Sequence, residues 1–124
     1  MTAPKTPSHL ARGHSAEQAA CDYLLGRGLG LVTRNYRTPH GEIDLIMRDA
    51  GTLVFVEVRF RRSRDFGGPA ESVDRAKQAK LRASAAHYLQ QHRDAAKQPC
   101  RFDIVALSGA GQGEIEWLPD AFGG

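Results

Sequence analysis

Residues 41–62, GEIDLIMRDAGTLVFVEVRFRR, constrain the fold most, because they combine a β-hairpin pattern with charges inside apolar runs. Residues 42–48 and 53–61 are rich in Ile, Leu, Val and Phe, which favours strands. Between them, residues 49–52 (DAGT) have the composition of a tight turn. The stretch therefore predicts two antiparallel strands joined by a short loop.

The turn also predicts which hairpin residues face each other. With Ala50 and Gly51 as a two-residue loop, the expected opposite pairs are Asp49 with Thr52, Ile46 with Phe55, Asp44 with Glu57, and Glu42 with Arg59. Because side chains alternate along a strand, one face of the first strand is expected to carry Glu42, Asp44 and Ile46, and the other Ile43, Leu45 and Met47. Four charged side chains are thus expected to converge on one face, away from the turn.

The expected opposition of Asp44 and Glu57 needs compensation. Carboxylates about 5 Å apart repel by roughly 3 kcal/mol at an effective dielectric constant of about 20. Arg59, a bound divalent cation or a raised carboxyl pKa would each offset this repulsion. The alternative is an exposed ion-pair patch without function. Against that alternative, the same face carries the apolar side chains of Ile46, Leu53 and Phe55.

The remaining patterns place the hairpin in an α/β domain. A first helix is expected to begin at Ser15, with Ser15 and Gln18 as a capping box, and to end before Gly28. A second helix is expected to be capped by Ser72 and to run to about residue 92. Further strands are expected at residues 31–36, 101–107 and 115–118. The order αβββαββ predicts a central mixed five-stranded sheet flanked by helices. We expect a flexible N-terminal tail at residues 1–13 and a single domain at residues 14–122.

Composition excludes several classes of protein. The 124 residues suit one core, and 17 Lys and Arg against 14 Asp and Glu give a mild net charge of +3. Cys21 and Cys100 lack the spacing of a disulfide framework or zinc site. Neither an apolar run of membrane-spanning length nor a signal-peptide pattern is present. We therefore expect a cytoplasmic protein without a membrane partner.

An ordered set of motifs resembles a known family. The set comprises Glu17, RNYR at 34–37, GEIDLI at 41–46, FVEVR at 55–59, RFDIV at 101–105 and DAF at 120–122. Together these motifs resemble the restriction-endonuclease-like PD-(D/E)XK superfamily and, more closely, the YraN family of predicted nucleases. The resemblance implies a restriction-endonuclease-like fold and Mg²⁺ or Mn²⁺ held by Asp44, Glu57 and the backbone carbonyl of Val58. It also implies that Glu17 acts directly or through water.

Arg59 departs from the pattern of that superfamily, which has Lys at this position. Arginine keeps the positive charge but does not lose its proton, and its guanidinium is wider than an ammonium. Either Arg59 serves in catalysis with Glu17, Asp44 and Glu57, or a lysine of the second helix, Lys77 or Lys80, replaces the missing one. The alternative for both lysines is a solvated helix face, which we favour from the sequence.

Basic residues near the hairpin favour a nucleic-acid partner, expected to be DNA. The candidate phosphate-binding residues are Arg34, Arg37, His40, Arg61, Arg62, Arg64, Lys77 and Lys80. The expected function is metal-dependent hydrolysis of DNA, with branched DNA suggested by junction resolvases of the superfamily. The alternatives are a nucleic-acid-binding protein without catalysis, because of Arg59, and an adaptor without metal. Asp103 either supports the site or caps a buried ion pair, and the sequence leaves a monomer or dimer open.

Overall fold

A computed structural model shows one mixed sheet with a helix on each face. The structure describes residues 8–61, 73–108 and 114–123, without the side chains of residues 8–15 and 61. The elements are α1 (Ser8–Gly26), β1 (Gly30–Thr38), β2 (Gly41–Asp49), β3 (Thr52–Arg61), α2 (Arg75–Gln91), a short 3-10 helix (Ala95–Lys97), β4 (Cys100–Ser108) and β5 (Glu114–Leu118). This order confirms the expected α/β arrangement.

The sheet has the spatial order β1-β2-β3-β4-β5. Neighbouring strands are antiparallel except β3 and β4, which are parallel and enclose α2 in the intervening chain. A parallel pair needs such a crossover connection. The turn at Ala50 and Gly51 forms as expected, and the predicted pairs Asp49–Thr52 and Ile46–Phe55 are confirmed.

The sheet separates two apolar cores. The α1 core joins α1 to one face of the sheet, and its central members are Ala20, Leu24, Leu45, Met47, Val54, Val56, Val105 and Leu107. The α2 core covers the opposite face, with Ile43, Ile46, Leu53, Phe55, Leu81, Tyr88, Phe102 and Ile104. Burial on both faces makes β2, β3 and β4 continuous apolar runs rather than alternating ones. These three strands form the rigid support of the charged hairpin end.

Both expected helix caps were wrong, whereas the expected end of the first helix is confirmed. Helix α1 begins at Ser8, so Ser15 lies inside it, and residues 9–12 are mostly good helix formers that extend the helix toward the N-terminus. Its C-terminus ends as predicted, with Gly28 at φ 95°, a conformation that favours glycine. Helix α2 begins at Arg75 and is capped by Asp74, whose side chain accepts a 2.8 Å hydrogen bond from the amide of Lys77. Ser72 lies outside the described residues.

The expected alternation of β2 fails at Asp44. Ile43 packs in the α2 core beside Ile46, although strict alternation would place it with Leu45 in the α1 core. The change lies between the cross-strand pairs Arg34–Leu45 and Tyr36–Ile43, where Asn35 has a φ of 54°. Asn35 lies opposite Asp44 in this pairing, so extended backbone is interrupted at the same point of the sheet. Asp44 therefore lies where the hairpin changes faces.

Asp103 belongs to a structural ion-pair network. Its fully buried carboxylate accepts hydrogen bonds from the Arg101 guanidinium, the Trp117 indole and the amide of Asp120. Arg101 also contacts Asp49 at 3.1 Å, which ties this network to the hairpin turn. Of the two open roles, the structure thus favours the buried ion pair. In the part of the chain with described coordinates, neither helix has the length and apolarity to cross a membrane.

Candidate active site at the open end of the hairpin

Asp44 is the centre of the charged hairpin end. Its Oδ2 accepts a 2.8 Å hydrogen bond from the backbone amide of Val58 on β3. Burial, followed by the negative charge of Glu57, raises the pKa of Asp44 from 3.8 to about 8, and the charge of Glu17 adds to the rise. The Val58 hydrogen bond opposes the shift. Without a cation, Asp44 therefore holds a proton near neutral pH, which is the raised carboxyl pKa anticipated from the sequence.

Two further carboxylates approach Asp44 from the α1 side. One oxygen each from Glu17, Glu42 and Asp44 lies within 4.8 Å of the others. Glu42 was expected opposite Arg59, but its Oε2 forms an ion pair with Arg37 Nε at 3.2 Å. The reason is the pairing of β1 with β2, which places Arg37 directly across from Glu42. The expected Glu42–Arg59 contact is replaced by a pair on the neighbouring strand.

Glu57 approaches Asp44 from the other side of the sheet. Its side chain is only 3% exposed, and its Oε2 contacts Arg59 Nη1 at 3.3 Å and Lys77 Nζ at 3.4 Å. Among the described residues, Glu57 Oε1 finds no hydrogen-bond partner. A buried carboxylate oxygen without a partner carries a large desolvation cost. The Asp44 side chain lies within hydrogen-bond reach of Glu57, so either the proton of Asp44 or a bound cation can compensate the buried Glu57 carboxylate.

The charged residues do not share one face, contrary to the prediction. Glu17 and Glu42 belong to the α1 side, whereas Lys77 of α2 holds Glu57 on the α2 side. Asp44 links the two groups because the hairpin changes faces at this residue. Oxygen donors of this kind suit hard divalent cations such as Mg²⁺ or Mn²⁺, so the residues present fit the metal expected from the sequence. The carboxylate oxygens that lie within 4.8 Å of one another belong to Glu17, Glu42 and Asp44, whereas Glu57 and the Val58 carbonyl stay predicted ligands.

Lys77 contacts the candidate site, and Lys80 has no recorded contact with it. The sequence favoured a solvated helix face for both, which is wrong for Lys77, since its ammonium contacts the buried Glu57. Asp74 fixes the first turn of α2 and thereby directs Lys77 toward the sheet. Lys80 is exposed, with its Cβ beside Gly41 at the start of β2. Residue spacing alone did not distinguish the two lysines, because the distinction depends on where α2 lies against the hairpin.

The predicted phosphate-binding residues have diverse positions. Arg34 donates hydrogen bonds to Gln18 and to the Cys21 sulfur of α1, which gives it a structural contact as well. Arg37 has a side chain that is 85% exposed, and His40 lies exposed in the turn between β1 and β2. Arg61 ends β3 without a described side chain, and Arg62 and Arg64 lie outside the described residues.

Glu42 is the site residue that the sequence analysis did not assign to metal. The available signal was a further carboxylate only two residues before Asp44 in the same strand. The proximity of Glu17 to Glu42 could not be read from the sequence, since it depends on how α1 packs on the sheet.

Comparison with known proteins gives the family of the chain. A profile described as "Uncharacterised protein family UPF0102" matches residues 16–107, which include the C-terminal part of α1, the hairpin, α2 and nearly all of β4. The chain belongs to the UPF0102 family. The YraN family is the same family, so the membership inferred from the motifs is confirmed.

Similar UPF0102 proteins align with nearly the whole chain. A UPF0102 protein of Nitrosococcus oceani is 52% identical over 119 residues, which cover 95% of this chain and 96% of that protein. A UPF0102 protein of Ralstonia nicotianae is 51% identical over 125 aligned residues, covering 98% and 93% of the two chains. A UPF0102 protein of Nitrosomonas europaea is 50% identical, covering 90% and 92%.

Proposed function

We propose that this UPF0102 protein is a metal-dependent nuclease with a restriction-endonuclease-like fold that hydrolyses phosphodiester bonds in DNA. The observation that carries the proposal is the close approach of Asp44 to the buried Glu57, whose Oε1 has no partner among the described residues and whose charge helps to raise the pKa of Asp44 to about 8. Strongly perturbed carboxyl groups at the edge of a core are typical of functional sites. A hard divalent cation would satisfy the Glu57 oxygen and favour the ionised form of Asp44.

Hydrolysis requires a water to attack phosphorus while the bond to one ester oxygen breaks, and that oxygen takes up a proton. When bound, Mg²⁺ or Mn²⁺ supplies positive charge to the phosphate and makes hydroxide accessible near neutral pH. Asp44 and Glu57 would hold the cation, and Glu17 would contribute from α1 directly or through water. Asp44 must release its proton to do so, so cation binding competes with this proton and strengthens as the pH rises.

Lys77 and Arg59 together would supply the functions of the lysine that the superfamily has at position 59. Both contact the same Glu57 oxygen, so both positive charges lie next to the proposed metal ligand. The Arg59 guanidinium stays charged and would stabilise the negative charge on the phosphate. The Lys77 ammonium is more compact and would orient the attacking water.

A second candidate is a nucleic-acid-binding protein without catalysis. The observation that favours it is Arg59 itself, which occupies the position of the expected lysine and cannot act as a base. The contact of Lys77 with Glu57 weighs against it, because a lysine ammonium is present at the site.

The experiment combines metal binding with DNA cleavage. Mn²⁺ is titrated into the wild type, Glu57→Gln and Arg59→Lys, and each protein is then incubated with linear, single-stranded and four-way DNA. The matched control is Glu116→Gln, which changes an exposed carboxylate on the edge strand β5. The nuclease proposal expects cation binding and cleavage by the wild type and the control, both lost in Glu57→Gln.

Two other results would change the assignment. Cation binding with cleavage by Arg59→Lys alone would support the binding protein and identify Arg59 as the cause of its inactivity. The absence of saturable cation binding by the wild type would refute both the nuclease and its metal site. A comparison of the three DNA forms tests the preference for branched substrates. Replacement of Arg61, Arg62 and Arg64 by Ala should weaken DNA binding and flatten its dependence on salt concentration.

A further inference from the structure

Glu42 belongs at once to an ion pair and to a group of carboxylates. Its Oε2 lies 3.2 Å from Arg37 Nε, and one of its oxygens lies within 4.8 Å of oxygens from both Glu17 and Asp44. Its side chain is 36% exposed, compared with 85% for Arg37. The guanidinium is therefore an exposed, solvent-accessible counterion of a carboxylate that borders the candidate metal site.

The carboxylate spacing suits a shared cation. Mg²⁺ and Ca²⁺ bind oxygen ligands at about 2.0–2.6 Å, so two ligand oxygens on opposite sides of one ion are about 4–5 Å apart. The separations of up to 4.8 Å among Glu17, Glu42 and Asp44 reach this range without backbone movement. A second sign of a ligand is the buried side chain of Glu57, which interacts with Asp44, a member of this carboxylate group, and whose Oε1 has no partner among the described residues.

A cation and the Arg37 guanidinium would compete for Glu42. Both are positively charged, and both require the lone pairs of the same carboxylate. Arg37 donates a hydrogen bond to Glu42 through Nε, and exposed ion pairs of this kind are weak. A divalent cation with three carboxylate ligands would displace the guanidinium.

We propose that Glu42 is a ligand of the metal on the α1 side of Asp44, and that Arg37 lowers the metal affinity of the site by pairing with Glu42 in the cation-free protein. The inference rests on the proposed function for the identity of the cation. It adds a ligand and a residue that sets the affinity. Arg37 acts through Glu42 and does not touch the metal.

The test is a double-mutant cycle read by calorimetric titration of Mn²⁺ at fixed pH and ionic strength. Arg37→Ala should raise Mn²⁺ affinity about two- to fivefold. It removes a guanidinium that competes for Glu42, and the free energy of that competition is no larger than the free energy of an exposed ion pair. Glu42→Gln should lower the affinity about tenfold or more, since ligand charge sets the affinity of such sites. In the Glu42→Gln background, Arg37→Ala should have no further effect.

A matched control separates competition from general electrostatics. Arg34→Ala removes a positive charge from the same strand, but the recorded contacts of Arg34 are with Gln18 and Cys21 rather than with a carboxylate. Its Mn²⁺ affinity should stay within about twofold of the wild type. Thermal unfolding without metal verifies that each variant folds, and the Glu42 variants keep a polar side chain of nearly equal size.

Distinct results overturn the inference and the nuclease proposal. An equal gain from Arg37→Ala with and without the Glu42 carboxylate would mean a long-range charge effect and would refute the competition. Unchanged affinity in Glu42→Gln, together with lost affinity in Glu57→Gln, would remove Glu42 from the site and leave the nuclease proposal intact. A preserved cycle in a protein that cleaves no DNA would support the inference and count against the nuclease.

Discussion

Replacement of Asp44 by Asn should stabilise the cation-free protein at neutral pH. The wild-type carboxyl has a pKa raised from 3.8 to about 8, mainly by burial and by the charge of Glu57. A raised folded-state pKa means that the native protein holds a proton that the unfolded chain has released between those two values. Stability therefore falls as the pH rises through this interval. Asparagine removes the ionisation and retains an oxygen for the Val58 amide.

The magnitude follows from the two pKa values. In the unfolded chain, pH 7 is about three units above the pKa of the Asp44 carboxyl, whereas the folded carboxyl remains mostly protonated. At about 1.4 kcal/mol per unit, the penalty is at most about 4 kcal/mol. Asp44 is only partly shielded from solvent, so we expect Asp44→Asn to gain about 2–4 kcal/mol more at pH 7 than near pH 4.

The assay is urea unfolding in the presence of a chelator, followed across a pH series from about 4 to 8. The difference between the wild type and Asp44→Asn cancels the titration of the carboxyl groups that do not interact with Asp44. Asp94→Asn is the matched control, because the Asp94 side chain is fully exposed and contacts only an exposed lysine at 3.8 Å. Its unfolding free energy should differ from that of the wild type by less than about 0.5 kcal/mol at every pH.

Added Mn²⁺ should reverse the order of stability. The cation binds the native wild type and stabilises it by mass action, whereas Asp44→Asn loses a charged ligand and should gain little. A pH-independent difference between the wild type and Asp44→Asn would refute the raised pKa. A Mn²⁺ stabilisation as large in Asp44→Asn as in the wild type would refute the role of Asp44 as a ligand.

Three further predictions concern other parts of the molecule. Asp103→Ala should cost about 3–5 kcal/mol of unfolding free energy, because it breaks a buried ion pair and leaves the Trp117 indole and the Asp120 amide without this acceptor, while Mn²⁺ affinity stays unchanged. A loss of affinity in the folded variant would count against its purely structural role. Lys77→Ala should slow DNA cleavage about a hundredfold, because Lys77 contacts Glu57, whereas Lys80→Ala should slow it by less than about threefold. Equal cleavage rates for the two variants would exclude Lys77 from the site. Gly28→Ala should cost about 1 kcal/mol or more in denaturant unfolding because φ is 95°, whereas Gly26→Ala, at the last residue of α1 with open space around its Cβ, should be neutral or stabilising. Equal stabilities of the two variants would contradict the strain argument.

The sequence predicted the turn-proximal half of the hairpin correctly because that half depends on local geometry. A two-residue loop fixes the pair next to it, and alternation then carries the register to Ile46 and Phe55. The same counting failed at the open end, where Asn35 adopts a left-handed conformation. No residue pattern in β2 signals this change.

The candidate carboxylates Asp44 and Glu57 were identified from their position within apolar strands, where charge is costly unless it is used. The side chains that contact the candidate carboxylates were not predicted from the sequence. Arg37 rather than Arg59 contacts Glu42, since β1 lies next to β2. Likewise, Lys77 contacts Glu57 because α2 crosses the sheet at that point, which helical spacing cannot show.

The sequence by itself determined the order of elements, the hairpin turn and the family, because alternation, turn residues and motif order are local properties of the chain. Only the tertiary structure decided how the charges are grouped. The packing of one helix on each face brought Glu17 to one side of Asp44 and Lys77 to the other. Ion pairing and burial depend on distances through space, and residues as far apart in the chain as Glu17, Asp44 and Lys77 acquire such distances only when the sheet and both helices have packed together.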